Sequence, residues 1–592
     1  MNYTKYIRAL IIPGLLLTGC EQLLDPEDDN HSTFERVYID PRYAEGLLIR
    51  AYTYIPSNDY DYDETATDDA ATNVMATSTV SAESAYAAYR RIATGGWSAA
   101  YNPQSLWTNC NRAILYVNQF LSIVDTVTWK PSNAEINDLF IRRLTGESYA
   151  LRGLMKYFLL RTCAGYSASG QLLGIPVYND FVDDQEGFAT PRSTFEQSVA
   201  SVLEDLNKAL TYLPDDYGNV SALPEGFSNV EVDSYNYVFG ETSQQRMSGR
   251  HVKAFKARMA LLVASPAFNS ANDKALWADA ANQTAGLLNA IGGVGGLDPS
   301  GHLFYLKAQV DNADVTTGDK KDIKEILWRR PIYTDRNREQ SFFPPSLYGS
   351  ARLCPSQNLV DAFPMKNGYP ISDANSGFDP ANPYSNRDPR FAQYIVYNGS
   401  KLKNTVINTN VEDVDDGLTA LSTSTVTGYY LKKLLREDVN LNPTSASSQK
   451  HFNTHIRYTE LFLNYAEAAN EAWGPDESPA GFTARQVIAA IRKRAGITQP
   501  DAYLQSVTGP DAMRTLIRNE RRLELCFESF RFWDLRRWKA DLTEAVRGVR
   551  IENGVISYFT VEDRVYNNDY MHYGPLPYNE VIRYGLEQNA GW

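Results

Sequence analysis

Apolar residues at helical spacing, arranged in successive segments, constrain the fold of this chain more than any other feature. The first segment repeats at intervals of three and four residues, which predicts an amphipathic helix. Its apolar positions are Leu106, Cys110, Ala113, Ile114, Val117 and Leu121. The stretch from Glu147 to Arg161 is rich in strong helix formers and predicts a second helix. A third begins at a capping box of Ser193 and Glu196 and ends before Pro214.

Further segments carry the same helical signals. We predict helices over residues 251–264, 273–288, 458–472, 483–494 and 511–538, the last with a break. Helices that follow one another in this way favour a mainly α fold in which tetratricopeptide-like helix pairs form a scaffold. Because the sequence has no clean repeat of about 34 residues, periodicity alone does not establish that scaffold.

Four long stretches without helical periodicity separate the helices. They cover residues 56–104, 214–248, 296–350 and 366–450, and they are dense in Asn, Asp, Gly, Pro, Ser and Tyr. Loops of this length in a compact chain are usually functional surface or contain small elements of their own. We therefore expect these irregular stretches to be functional surface or to carry small elements that periodicity does not reveal.

The N-terminus reads as a signal peptide over residues 1–19. Lys5 and Arg8 precede or border an apolar stretch from Ile7 to Leu17, which is too short to span a membrane. The stretch ends in Leu-Thr-Gly and then Cys20, the pattern of a bacterial lipoprotein signal. We predict that Cys20 carries the lipid, that residues 21–30 form an acidic tether, and that no other segment enters the membrane. The alternative is an ordinary signal peptide with a chance cysteine.

Charge and cysteine content exclude several classes of protein. The formal net charge is -14, and removal of residues 1–19 takes away only Lys5 and Arg8, which makes it -16. A nucleic-acid partner is not expected, because phosphate backbones require a basic face. The other cysteines lie far apart, without the spacing of a zinc site or a disulfide framework, and we expect them to be small buried side chains. They are Cys110, Cys163, Cys354 and Cys526.

Motifs of catalysis and metal binding are weak in this sequence. It has no nucleophile elbow, no phosphate-binding Walker loop and no zinc-protease helix. The glycines from Gly292 to Gly296 lack the spacing of a dinucleotide site. His451 and His455 have helical metal spacing, but two histidines alone rarely make a site. We predict no metal, no cofactor and no enzymatic activity; a glycosidase would need a pair of carboxylates that no motif singles out.

Several distinctive sequence blocks follow one another along the chain behind Cys20. The blocks begin at Glu147 (ESYALRG), Leu173 (LGIPVY), Thr190 (TPRST), Gln357 (QNLVDAFPMKNG), Asn386 (NRDPRF), Gly428 (GYYLKK), Arg518 (RNERRLEL), Arg531 (RFWDLRRW) and Tyr573 (YGPLPYNE). Together, in this order, they resemble the SusD/RagB family of outer-membrane nutrient-binding lipoproteins, and the resemblance covers nearly the whole chain behind Cys20. Physically, the arginine-rich block reads as fold, because Arg521 with Glu524 and Glu528 with Arg531 are spaced to pair along a helix.

The resemblance implies an architecture, a partner and a location. It implies one globular body over residues 20–592, with an N-terminal part over 20–225 and a C-terminal part over 226–592. In this body the long irregular loops form the ligand face on the helical scaffold. It also implies that the protein is lipid-anchored at the outer membrane, facing the exterior, and delivers glycan to a TonB-dependent transporter of the SusC type. In some members the cargo is peptide, so an oligopeptide binder is the main alternative and a glycoside hydrolase the third.

Carbohydrate recognition requires aromatic faces for the C–H surface of a sugar and planar polar groups for its hydroxyls. Two irregular regions supply this mixture, one early and one from Trp328 onward. The resembling family takes its contacts from an early loop with an acidic pair and a tryptophan and from a later aromatic loop. The candidate ligand-binding residues are therefore Asp68, Asp69, Trp97, Tyr101, Asn102, Trp328, Tyr333 and Arg336. We expect Trp97 and Trp328 to be exposed aromatic platforms on one face.

Overall fold

The computed structural model describes residues 39–56, 62–75, 84–182, 187–313 and 323–592. The predicted signal peptide, Cys20 and the acidic tether lie outside these residues. The helices are α1 (Pro41–Tyr52), α2 (Ala85–Arg91), α3 (Trp107–Leu121), α4 (Ala134–Cys163), α5 (Phe195–Tyr212), α6 (Val232–Phe239), α7 (Gly249–Ala264), α8 (Lys274–Asn289), α9 (Lys307–Val310), α10 (Asn337–Phe342), α11 (Gln357–Ala362), α12 (Pro389–Tyr394), α13 (Tyr458–Trp473), α14 (Ala484–Ala495), α15 (Ala502–Ser506), α16 (Gly509–Leu525), α17 (Arg531–Arg537) and α18 (Tyr578–Tyr584).

The long helices pack in sequence and form the scaffold. Helix α3 lies on α4, α4 on α5, α5 on α7, α7 on α8 and α8 on α13, which in turn contacts α14 and α16. Their facing residues form the largest hydrophobic core. The predicted mainly α fold of packed helix pairs is thus confirmed, and each long helix predicted from periodicity is present. The break predicted within residues 511–538 separates α16 from α17.

The capping box at the start of α5 differs from the prediction by one residue. Thr194, not Ser193, is the cap: its side chain accepts from the backbone N–H of Gln197 at 3.1 Å, and the Gln197 side chain accepts from the Thr194 N–H at 3.1 Å. Ser193 with Glu196 and Thr194 with Gln197 both place a hydroxyl three residues before a side chain that can accept from the backbone N–H of the cap residue. The sequence pattern alone therefore does not decide between the two caps.

The chain between α8 and α13 leaves the scaffold and forms a second core with segments from after α16. The irregular stretches predicted from composition hold short elements here, as the lengths of those stretches suggested. The two-stranded pairings are β1 (Ala70–Ala71) with β6 (Cys354–Pro355), β2 (Gly165–Tyr166) with β3 (Leu172–Leu173), β4 (Ile326–Arg329) with β12 (Thr454–Arg457), β5 (Tyr333–Asp335) with β11 (Gln449–His451), β7 (Ile395–Val396) with β10 (Tyr430–Leu431), β8 (Ser400–Leu402) with β9 (Thr405–Ile407), and β13 (Val546–Glu552) with β14 (Val555–Glu562).

The arginine-rich block joins distant elements instead of pairing along its own helix. Arg521 Nε binds Asp534 Oδ2 at 2.6 Å, and Glu524 Oε2 binds Arg494 Nη2 at 2.9 Å. Glu528 binds Lys433 Nζ at 2.6 Å. Arg531 binds Asp68, which belongs to the irregular stretch 56–104, called the early loop below. The predicted local pairs were wrong for two reasons: Arg521 and Glu524 share one helix but each binds a partner on another element, and Glu528 and Arg531 lie beyond the helix end at Leu525. The interpretation of the block as fold, not site, agrees with its burial.

All four cysteines in the described residues are buried free thiols, as predicted. Among the helices of the described ranges, none has both the length and the apolar character needed to cross a bilayer.

Candidate functional site

The predicted acidic pair of the early loop is part of the folded interior. Asp68 and Asp69 are 4% and 0% exposed. Arg531 Nε donates to Asp68 Oδ1 at 2.9 Å, and Arg522 Nε donates to Asp69 Oδ1 at 2.7 Å. Burial by itself raises the pKa of Asp68, but the Arg522 and Arg531 guanidinium groups outweigh burial and lower that pKa. These carboxylates therefore fasten the early loop to α16 and α17, and their burial keeps them from a ligand at the surface.

Trp97 is buried, which contradicts the expectation that it is an exposed platform. Its side chain is 5% exposed and lies edge-on against Trp592, with ring centroids 4.8 Å apart. The indole Nε1 donates to Asn102 Oδ1 at 3.0 Å, so Asn102 holds the loop closed around the ring. Tyr101 remains half-buried, beneath the Arg91 guanidinium at 5.5 Å.

Trp328 is also buried, at 3% exposure, and its prediction as a platform was wrong for a different reason. It lies on β4, opposite Ile456 of β12, and this pairing carries the ring into the scaffold core. The ring stacks on His251 at 5.0 Å, and Nε1 donates to Gln245 O at 3.0 Å. A strand of four residues in polar surroundings is hard to recognise from sequence.

The last two candidates lie beyond Trp328. The Tyr333 hydroxyl donates to Asn453 Oδ1 at 2.8 Å, and the ring is half-buried. Arg336 is exposed just before α10. Neither side chain lines the groove described next, so the structure does not bring the eight candidates together as one site.

A surface groove of about 270 Å³ lies between the two predicted regions. Its lining comes from the segment after α1, from α2, the early loop, α3 and α4, from the segment after β4, and from α17 and the residues just before it. The lining side chains include Tyr54, Tyr89, Gln104, Asn109, Arg161, Arg330, Ser529 and Trp533. Arg330 Nη2 donates to the backbone oxygen of Ile55, and this bond ties the later predicted region to the segment after α1.

Two half-buried aromatic rings in the groove are available for contact. Tyr54 lies parallel to Tyr116, with an interplanar angle of 8° and centroids 6.4 Å apart. Trp533 lies under the Arg161 guanidinium, whose carbon is 4.3 Å from the ring centroid. Neither ring was predicted from the sequence, because Tyr54 lies in the short segment after α1 and Trp533 belongs to the arginine-rich block that we assigned to the fold. The signal that the sequence did offer was a tryptophan just after the predicted helix break.

Two buried carboxyl groups lie beneath Ser529, which lines the groove. The Ser529 hydroxyl donates to Asp63 Oδ1 at 3.0 Å, and the Ser529 N–H donates to Glu64 Oε1 at 3.2 Å. Burial raises the pKa of Asp63 to about 6, against the opposing hydrogen bond from Ser529 and the charges of Arg161 and Arg536. Burial and the neighbouring acids Asp63 and Asp69 raise the pKa of Glu64.

The two histidines noted in the sequence lie on different strands, β11 and β12, and not on one helix face. His451 Nε2 lies 3.5 Å from Glu339 Oε2, and His455 packs against Trp328 with centroids 4.3 Å apart. Within the ranges that the structure describes, no three His, Cys, Asp or Glu side chains are placed to hold a metal ion.

Comparison with known proteins gives concordant matches along most of the chain. Residues 324–592 match the model of the SusD family, and residues 24–225 match a family described as starch-binding and associating with the outer membrane. No protein among those with curated functional information matches the chain.

Solved structures with the same fold span nearly the whole chain. A SusD-like protein from Bacteroides fragilis is 23% identical, with 95% of this chain and 99% of that chain covered and a TM-score of 0.68. A SusD-like carbohydrate-binding protein from the same organism is 18% identical, with 93% and 99% covered and a TM-score of 0.66. Surface glycan-binding protein A from Bacteroides fluxus is 17% identical, with 93% and 99% covered and a TM-score of 0.58.

The fold and the two family matches together define a helical, SusD-like protein. The chain belongs to the SusD/RagB family.

Proposed function

We propose that this protein binds oligosaccharide at the cell surface, in the groove between Tyr54 and Trp533, and does not cleave it. The observation that carries this proposal is the lining of the groove. Two half-buried aromatic rings are accompanied by the amides of Gln104 and Asn109 and the guanidinium groups of Arg161 and Arg330. Aromatic faces suit the C–H surface of a pyranose, and planar amides and guanidinium groups suit its hydroxyls.

The size of the groove favours a short stretch of glycan. Its volume of about 270 Å³ is near the lower end of small-molecule sites, which hold roughly 300 Å³ or more. Each stacked ring or hydrogen bond contributes about 1 kcal/mol after water is displaced. With only a few such contacts, we expect a dissociation constant in the micromolar to millimolar range.

The placement of the nearby acids favours binding over hydrolysis. A glycosidase holds two carboxyl groups about 5–10 Å apart across the scissile bond, where the substrate reaches both. Asp63 and Glu64, the acids with raised pKa values beside the groove, are 1% and 0% exposed and are held by Ser529. They are therefore separated from the groove by the residue that a sugar would touch.

The family supplies the cellular setting of the proposal. We propose that lipid on Cys20 anchors the protein to the outer membrane, facing the exterior, and that the bound glycan passes to a SusC-type TonB-dependent transporter. The match to a family described as associating with the outer membrane supports the location. The pattern that ends at Cys20 supports the anchor.

The proposal is tested with residues 21–592, first on a glycan array and then by calorimetric titration of the best ligand. Trp533→Ala and Tyr54→Ala should each lower the affinity about five- to thirtyfold, because each removes a stacking face worth about 1–2 kcal/mol. Tyr237→Ala is the matched control, since that ring is 53% exposed but packs on Phe140. Phe140 and Arg161 both lie on α4, so the control site is roughly 30 Å from the groove.

Two outcomes would contradict the proposal. Release of reducing sugar that a single Asp or Glu substitution abolishes would make the protein an enzyme. Capture of oligopeptides in place of glycans would assign it to the peptide-binding branch of the family.

A further inference from the structure

A small recess lies directly behind the groove. Its volume is about 60 Å³, and Arg161, Ser529 and Trp533 line both spaces. The other charged residues around the recess are strongly biased toward arginine. They are Arg258, Arg521, Arg536, Arg537, Glu460 and Asp534.

Three of these arginines are matched by carboxylates. Arg258 Nε donates to Glu460 Oε1 at 2.6 Å. Arg521 Nε donates to Asp534 Oδ2 at 2.6 Å. Arg537 donates from Nη1 to Glu467 Oε1 at 2.6 Å and from Nε to Asp534 Oδ1 at 2.8 Å. Their charge is therefore compensated within the protein.

Arg536 differs from these three. It is 4% exposed, and its Nη1 donates to the backbone oxygen of Phe532 at 3.1 Å. Its Nε and Nη2 are buried, and within the described part of the chain no carboxylate accepts from either; the polar side chain that interacts with this guanidinium is the Tyr566 hydroxyl. Nε–H and Nη2–H form the edge of the guanidinium plane that can bind both oxygens of a carboxylate. A buried cation without a carboxylate partner is costly, and a ligand carboxylate at this edge would offset that cost.

Asp63 compensates the charge of Arg536 only in part. Asp63 acts on Arg536 through space without a hydrogen bond to it, and burial raises the pKa of Asp63 to about 6. Burial lowers the pKa of Arg536 to about 10, which still leaves it a cation at neutral pH. The rings of Phe532, Trp97 and Tyr566 enclose its other surfaces, with centroids 3.4 to 5.0 Å from the guanidinium carbon.

We propose that the recess receives the carboxylate of a hexuronic acid unit, so that the ligand of the groove is an acidic oligosaccharide. This inference rests on the proposed function, because the sugar ring that bears the carboxylate must lie in the groove beside Trp533. The carboxylate would pass Ser529 and Arg161 and meet the Nε and Nη2 edge of Arg536. A planar carboxylate suits the bidentate edge and the small volume, and the overall acidity of the chain does not oppose it locally.

The test compares tetrasaccharides that contain hexuronic acid with their carboxyl-reduced, otherwise identical counterparts, and with a sulfated neutral tetrasaccharide. We expect the mature protein to bind a uronate probe about ten- to hundredfold more tightly than its reduced counterpart, as one charge-assisted, bidentate contact provides. Arg536→Gln should abolish this preference and retain binding of the reduced probe. Arg550→Gln, a half-exposed arginine on β13 that pairs with Glu552, should leave the preference unchanged.

Arg161→Gln provides a second variant if Arg536→Gln does not fold, and it should reduce the preference severalfold. Equal affinity for the uronate and reduced probes would overturn the recess proposal and leave glycan binding intact. Tightest binding of the sulfated probe would also overturn it, since the ligand group would not be a carboxylate. Failure of every probe to bind would overturn the proposed function itself.

Discussion

The burial of Trp97 and Trp328 shows that the flanking sequence of a residue does not predict its exposure. Trp97 and Trp328 both lie in polar surroundings, yet each indole N–H is satisfied inside the protein, by Asn102 and by Gln245 O. Polarity of the flanking residues predicts a loop, but it does not report whether the loop folds back on its own aromatic side chain. Trp533, the ring that does line the groove, was hidden in a helical block.

Replacement of either buried tryptophan should therefore destabilise the fold. We expect Trp97→Ala and Trp328→Ala each to lower the free energy of unfolding by about 3–5 kcal/mol, through lost burial and the cavity left behind. Urea unfolding followed by circular dichroism measures the change. Tyr578→Ala, at a tyrosine that is 53% exposed, is the control and should change stability by less than about 1 kcal/mol. Normal stability of both tryptophan variants would contradict the burial described here.

Asp63 should make stability depend on pH in a defined direction. Its pKa of about 6 in the folded state exceeds its ordinary value of 3.8. The carboxyl group therefore contributes stability below about pH 4 that is lost as the pH rises through 6. Relative to Asp63→Asn, which cannot titrate, the wild type should lose roughly 2–3 kcal/mol of unfolding free energy between pH 4 and pH 7. A difference between the two proteins that is the same at both pH values would refute the raised pKa.

At the scale of elements, amphipathic periodicity predicted the long helices well, because a helix that buries one face must repeat its apolar residues. Helix boundaries and partners were less accessible. The α4 sequence carries Arg152 and Lys156 in its buried half, and both meet Asp205 of α5, at 2.6 and 2.7 Å. The sequence of neither helix predicts this contact, because a charged residue in a helix is usually exposed to solvent. The long-range pairs of the arginine-rich block were missed for the same reason.

The α4–α5 contact can be tested with neighbouring carboxylates on one helix. Asp205→Asn should lower the free energy of unfolding by about 3–5 kcal/mol, because it leaves two buried cations without their carboxylate. Glu204→Gln should change it by no more than about 0.5 kcal/mol, since Glu204 is an exposed side chain that pairs with Lys208 one turn away. Equal effects of the two substitutions in denaturant titrations would show that the buried contact does not hold the helices together.

At the scale of the molecule, the fold class followed from the sequence and the site did not. The groove joins the segment after α1, the early loop, α4, the segment after β4 and α17, which are far apart in the sequence and meet only in the folded chain. No local sequence pattern predicts that these segments come together. The sequence did place two irregular regions near it, and Arg330 joins the later region to Ile55, the residue just before the earlier one.

The membrane anchor belongs to the same scale and lies outside the described residues. We predict that Cys20→Ala releases the protein from membranes, since acyl chains contribute about 0.8 kcal/mol per buried CH₂ group and nothing else in our account holds the chain there. Detergent partitioning of cells that lack the transporter measures the release. If the variant still fractionates with membranes in those cells, the lipid is not the anchor.

The structure of residues 21–592 with the best array ligand bound would show whether an intact oligosaccharide lies in the groove. Our account predicts an uncleaved sugar with one ring against Trp533 or Tyr54 and hydroxyls within hydrogen-bond distance of Asn109 or Arg330. A ligand bound on another face, or a cleaved product in the groove, would contradict it.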